Sequence, residues 1–237
     1  MRIYKLSKLL FFPKLWKLLF KGIMPSFEHL EVLKKINKIS SLIDCGSNKG
    51  QFAILVYSLF KIKNYFSFDP IILPTEVCNF LKKKKVNIVH EHVALSSKTG
   101  EANFFITERE DSSSLKETID NSSQYCPDVF YKETKLVTVK TLDCHVNKIK
   151  KLTKPIALKI DVQGSELELL LGADKSIKLV DYIFIEISFE SLYKNTASKK
   201  SIFSILKNYG FEEVCSYNSF TRRGKILSKD YFFRKSK

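Results

Sequence analysis

From residue 41 onward the chain repeats one pattern, a short apolar run followed by a segment of helical period. This alternation limits the folds open to it more than any other feature. Residues 41–45 (SLIDC) read as a buried strand ended by Gly46, and residues 50–60 as a helix carrying Phe52, Leu55, Val56 and Leu59 on one side. Residues 64–69 form a second strand stopped by Pro70, residues 74–85 a second helix with Pro74 near its first turn, and residues 86–93 a third strand. Residues 102–106 read as another strand, whereas 107–135 are polar and aperiodic, the pattern of a lid, a binding loop or a disordered stretch. A strand resumes at 135–139, and Thr141 is placed to cap a helix running to about Lys151. Residues 155–161 are the next core strand. The following helix opens on a capping box, Ser165 with Glu168, and is expected to bury Leu167, Leu170 and Leu171. A strong strand spans 180–187, and Ile202, Ile205, Leu206 and Tyr209 make a helical stripe closed by Gly210. Strands at 211–217 and 231–233, joined by a basic turn at 221–225, predict an antiparallel edge hairpin. Repeated β-then-α units predict an α/β fold with a doubly wound, mostly parallel sheet and right-handed crossovers.

In such sheets ligands bind outside the carboxyl ends of the strands. The acids at those ends are Asp44, Asp69, Asp161 and Glu186, and four acids at four strand ends are hard to explain by packing alone. The turn DCGSNKG (Asp44 to Gly50) gives Gly46 for a tight bend and Gly50 for a helix start close to a ligand. A full G-x-G-x-x-G is absent, which counts against a nicotinamide cofactor. Asp69, at the end of the second strand, can accept both ribose hydroxyls of a nucleoside, or can simply form the turn before Pro70. A nucleoside held without a phosphate grip points to S-adenosyl-L-methionine.

The 237 residues carry a net charge of +15, which favours anionic partners and says nothing about fold. Residues 1–38 hold nine Lys/Arg against two acids, seven of those fifteen charges. Lys8, Lys14 and Lys17 interrupt each apolar run there, so no run reaches the length of a membrane span and a secretory signal fits poorly. Two readings of this basic amphipathic segment stay open: a peripheral contact with an anionic membrane through Trp16, Leu15, Leu18, Leu19 and Phe20, or a helix packed on the domain with solvated lysines. Cys45, Cys78, Cys126, Cys144 and Cys215 are scattered and odd in number, which argues for a reducing, cytoplasmic setting and against a disulfide framework or structural zinc. His90 and His92 lie in phase on one strand but lack a third ligand nearby.

Several blocks resemble the FkbM family of methyltransferases: IDCGSNKGQF (Ile43 to Phe52), SFDP (Ser67 to Pro70), VALS (Val93 to Ser96) with Gly100, TLD (Thr141 to Asp143), LKIDVQGSELE (Leu158 to Glu168) and VDYIFIEISF (Val180 to Phe189). They fall in family order over roughly residues 40–215, leaving 1–38 as a separate basic segment and 39–237 as the expected methyltransferase domain. Cys45 and Ser47 replace a usual Val/Ile and Ala, and Asp69 stands where Glu is common. The resemblance implies a class I methyltransferase fold, a Rossmann-like, doubly wound seven-stranded sheet. It implies S-adenosyl-L-methionine as methyl donor and hydroxyl oxygens, commonly of surface or lipid-linked glycans, as acceptors. It implies that Asp44, Gly46, Asn48 and Gly50 line the methionine part, that Asp69 takes the ribose, and that Val93 and Ala94 lie near the adenine.

Methyl transfer to oxygen needs the acceptor proton removed or polarised, by a positioned carboxylate or by a divalent metal. Asp161 is the first candidate for base or metal ligand. Glu166, in the first helical turn, serves catalysis or compensates the helix dipole. Glu186 could bind sugar hydroxyls or complete an acid pair with Asp161. Two other functions fit parts of the sequence: RNA methylation, suggested by the charge but lacking an Asn/Asp-Pro-Pro-Tyr signature after the fourth strand, and a non-catalytic glycan-binding module of the same fold.

Overall fold

The computed structural model describes residues 15–108, 110–119, 131–189, 193–222 and 224–236. Seven strands form the main sheet: β1 (Ser41–Cys45), β2 (Asn64–Phe68), β3 (Asn87–Glu91), β7 (Ile156–Ile160), β8 (Tyr182–Ser188), β9 (Phe211–Arg222) and β10 (Lys225–Lys235), in the order β3-β2-β1-β7-β8-β10-β9. All neighbours pair in parallel up to β8; β10 runs antiparallel to both β8 and β9. The expected doubly wound sheet with an antiparallel edge hairpin is thus the observed one, with the hairpin strands longer than their apolar cores.

A second, three-stranded sheet stands beside it, built from β4 (Ala94–Leu95), β5 (Gly100–Thr107) and β6 (Tyr131–Lys140) in the order β4-β6-β5. The third strand therefore stops at Glu91, and Ala94 belongs to this smaller sheet, pairing with Val139. Of the polar stretch at 107–135, Ser114 bridges Phe105 and Thr118 bridges Tyr193, while 109 and 120–130 lie outside the described residues.

Strand periodicity sorts the core into two layers. Leu42, Ala157, Phe184 and Phe232 project to one face and pack with α1 (Gln51–Phe60) and α2 (Thr75–Lys83). Ile43, Leu158, Ile185 and Phe233 project to the other and pack with α3 (Glu166–Leu171) and α4 (Lys199–Asn208). Within residues 15–38, Leu15, Leu18, Ile23, Phe27, Leu30, Val32, Leu33 and Ile36 are buried in the first layer. Two helix starts differ from expectation. Ser165 makes no capping bond through its side chain, Glu168 pairs with Lys116 at 2.9 Å, and α3 buries Leu169 and Leu170 while Leu171 is exposed. Thr141 likewise makes no capping bond, and a short 3-10 turn (Leu142–His145) precedes a single helical turn (Val146–Ile149).

Candidate active site

The same periodicity that builds the first apolar layer places a charged layer one step nearer the carboxyl ends. Asp44 follows Leu42, Lys159 follows Ala157, Glu186 follows Phe184, and Asp230 precedes Phe232 on the antiparallel strand. Asp44 and Lys159 are register partners across β1 and β7, as are Glu186 and Asp230 across β8 and β10. Asp44, Lys159 and Asp230 are buried to 4% exposure or less. Charges this deep are tolerated only when paired.

The pairs are specific. The Lys159 ammonium donates to Asp161 Oδ2 at 2.9 Å, and the Gln163 amide nitrogen donates to Asp161 Oδ1 at 2.7 Å and to Glu186 Oε2 at 3.2 Å. The Ser228 hydroxyl donates to Glu186, Asn218 Nδ2 donates to Asp230 at 2.6 Å, and the Tyr65 hydroxyl donates to Asp44 at 3.2 Å. Gln163 has a left-handed backbone, φ +51°, an uncommon state for a residue with a Cβ. Tyr193 braces it, its hydroxyl 3.0 Å from Gln163 Oε1 and 2.8 Å from the Ser112 carbonyl.

These contacts split the carboxyls electrostatically. Burial pushes Asp44 up to about 7, against the opposing pull of Lys159 and Tyr65. Burial pushes Asp69 and Asp230 up to about 6. Glu186 is raised well above the usual carboxylate range by burial and by the neighbouring Asp161 and Asp230 charges. Burial acts on Asp161 in the same direction, but the charge and hydrogen bond of Lys159 outweigh it and hold the carboxyl below its ordinary value. Burial also works against the Lys159 ammonium, yet Asp161, Asp230 and Glu186 together keep it above the usual lysine range.

The turn after β1 is locked to this cluster. Gly46 has φ +78°, and a Cβ there would lie 1.8 Å from the Asp161 carbonyl oxygen. The Asp161 N–H in turn donates to the Cys45 carbonyl at 3.0 Å. Asp69 is gripped through both oxygens, by the Asn48 N–H and the Ile71 N–H at 2.8 Å each. Its remaining lone pairs stay open to further donors.

A cavity of about 330 Å³ runs over these groups, and Asp44, Gly46, Asn48, Asp69, Val93, Ala94, Asp161 and Glu186 all line it. Two candidates from the sequence do not. Gly50 packs away from it, where a Cβ would meet Val77 at 2.9 Å and Leu73 at 3.0 Å. Glu166 turns back on its own loop and accepts the Gly164 N–H at 2.9 Å. Sequence reasoning missed Lys159, Gln163, Asp230 and the wall made by Ser26, Glu28 and His29 of the N-terminal segment, which faces Asn218, Ser219 and Phe220 of the hairpin. A lone lysine in the apolar run IALKI, in phase with Asp44 and Glu186, was the available signal for Lys159. His29 is held by Tyr217 at 2.8 Å. The His90 and His92 rings meet edge to face with centroids 4.4 Å apart, and among the described residues no group of three or more His, Cys, Asp or Glu is arranged to hold a metal ion.

The family model described as Methyltransferase FkbM domain matches residues 44–213. A search of curated proteins finds no match. Solved structures similar in fold include magnesium protoporphyrin IX methyltransferase from Synechocystis PCC 6803 with bound SAM, at 10% identity over 89% of this chain and 77% of that one, TM-score 0.45. Also similar are a 1,6-didemethyltoxoflavin-N1-methyltransferase from Burkholderia thailandensis (9% identity, 90% and 76% covered, TM-score 0.45) and the N-methyltransferase NodS from Bradyrhizobium japonicum WM9 (8% identity, 88% and 92% covered, TM-score 0.43).

Proposed function

As the chain belongs to the FkbM methyltransferase family, we propose that it transfers the methyl group of S-adenosyl-L-methionine to a hydroxyl oxygen of a saccharide or glycan. The residues present fit this donor. Asp44 and Asp69 offer carboxylates along one cavity, and the Asn48 amide oxygen beside them is buried with no hydrogen-bond partner, an acceptor that a ligand donor would satisfy. Asp44, Gly46 and Asn48 would hold the methionine part, Asp69 the ribose, and Val93 and Ala94 the adenine. When bound, S-adenosyl-L-methionine supplies an electrophilic methyl on a sulfonium.

One observation carries the choice of oxygen as acceptor: the Asp161–Glu186 carboxyl pair, bridged by a single amide at the cavity wall. An alcohol is a poor nucleophile until its proton has somewhere to go. Asp161, ionised and 31% exposed, takes that proton as the oxygen takes the methyl. Glu186, Ser228, Asn218 and Ser219 offer the mixed donors and acceptors that orient a polyhydroxyl substrate.

Trp16 and Phe20, 45% and 84% exposed, support peripheral contact of the N-terminal segment with the cytoplasmic face of a membrane, where lipid-linked glycans are assembled. Among the described residues no helix is long and apolar enough to cross a bilayer.

The test is transfer of labelled methyl from S-adenosyl-L-methionine to a panel of glycans and to bulk RNA. The reading expects label on glycan hydroxyls and loss of turnover, with donor affinity retained, in Asp161→Asn. Label recovered in RNA, or normal turnover in that variant, overturns it.

A further inference from the structure

Lys159 is the only lysine or arginine among the described residues lining the cavity, and it faces four acids, Asp44, Asp161, Glu186 and Asp230. Its side chain is 4% exposed and lies over the Phe52 ring, 5.9 Å from the centroid, while the Asp161 carboxyl it touches opens into the cavity. Both oxygens of Asp161 hold a donor, the ammonium on Oδ2 and the Gln163 amide on Oδ1. Glu186 shares that amide and accepts from a neutral hydroxyl, Ser228. Two carboxyls that share one amide donor disfavour double ionisation and favour a proton held by the pair. The side on which the ammonium stands decides where that proton resides.

We propose that Lys159 is the positioning residue of this site: its ammonium keeps the charge on Asp161, which makes Asp161 the proton acceptor and leaves the shared proton on Glu186. The inference rests on the reading of Asp161 as base. Without Lys159, Asp161 would be surrounded by Asp44 on β1, Glu186 on β8, Asp230 on β10, Asp69 after β2 and Glu166 on α3, with the Tyr193 and Tyr217 hydroxyls beyond. Each of those acids disfavours a further negative charge, and Asp161 would hold a proton at the pH where it must accept one. The shifts of the two carboxyls agree, Asp161 lowered and Glu186 raised. The same arrangement explains why a bridging amide stands at position 163: its two amide hydrogens serve both carboxyls without adding a charge.

The experiment is a pH titration of the side-chain carboxyl carbons by NMR on the full chain labelled at Asp and Glu, without cofactor, from about pH 4 to 9 (the resonances assigned from Asp161→Asn and Glu186→Gln). In the wild type, Asp161 is expected to stay ionised across the range and Glu186 to be protonated at pH 7. In Lys159→Met, a chain of similar length without charge, the Asp161 midpoint is expected to rise by about one to three pH units, into the measured range. Lys159→Arg is expected to keep Asp161 ionised. An Asp161 protonated at pH 7 in the wild type, or an unmoved midpoint in Lys159→Met, overturns the proposal. If Lys159→Met does not fold, the wild-type and Lys159→Arg titrations decide by the same criteria. The two readings fail separately: an unmoved midpoint removes the role of Lys159 with Asp161 as base intact, whereas normal turnover of Asp161→Asn removes the base itself.

Discussion

Asp44 shows what a single buried acid does in this protein. It ends an apolar strand at 1% exposure, with one neutral hydroxyl as its hydrogen-bond donor. A carboxyl raised to about 7 in the fold, against about 4 in the unfolded chain, binds more protons when folded throughout that interval. Its contribution to stability is therefore present below about pH 4 and lost as pH rises through about 7. Asp69, Asp230 and Glu166 carry the same sign over nearby windows, and Asp161 the opposite. Thermal melts of the cofactor-free protein should fall between about pH 4 and 8. Asp44→Asn should flatten that slope and raise stability at pH 8 by on the order of a few kcal/mol, while weakening binding of S-adenosyl-L-methionine. An Asp44→Asn variant that melts lower than wild type at pH 8 would contradict this. Sites that hold charge against their own burial trade stability for function in this way.

Among the elements, the turn from β1 into α1 is the one that would couple cofactor and chemistry under the proposed function, because Gly46 and the Asp161 backbone touch. Gly46→Ala would drive a methyl group into the Asp161 carbonyl from a left-handed backbone that alanine resists. It is expected to weaken cofactor binding and turnover together, even where circular dichroism shows the fold retained; a variant with normal affinity and rate would show that the turn and Asp161 act independently. Strands β1, β2, β7 and β8 were legible from apolar runs, and Asp44, Asp69, Asp161 and Glu186 from their place at the ends of those runs. Glu166 was not, since a first-turn acid looks the same whether it faces a ligand or accepts its own loop's N–H. The place of Gly50 off the cavity wall was hidden for a similar reason: a left-handed glycine opening a helix reveals its backbone but not that Val77 packs beneath it. Asp230 lay out of sight because its strand is antiparallel and contributes its beginning, not its end, to the site. The wall at Ser26 to His29 precedes every family block, so nothing in those blocks pointed to it.

At the scale of the whole molecule, residues 15–38 close one face of the sheet and one end of the cavity. Eight of their apolar side chains are buried, each worth about 1.5–3 kcal/mol, a sum that exceeds the lower part of the about 5–15 kcal/mol by which a domain is usually stable. A chain beginning at Ser40 is therefore expected to be unfolded or insoluble by circular dichroism, where a separable anchor would leave a folded domain. Membrane contact is better tested in the full chain: Trp16→Ser with Phe20→Ser should keep the melt within a few degrees and reduce sedimentation with anionic vesicles, and undiminished sedimentation would place the contact elsewhere. The proposed function depends on one claim, that the cavity over Asp44, Asp69 and Asp161 is the site of S-adenosyl-L-methionine. Calorimetric titration of the full chain tests it most directly. Wild type should bind, and Asp69→Ala, deprived of its charge-assisted bonds to the ribose, should bind more weakly by about 2–4 kcal/mol, roughly 30- to 1,000-fold. No binding by the wild type, or equal affinity in the two proteins, would contradict it.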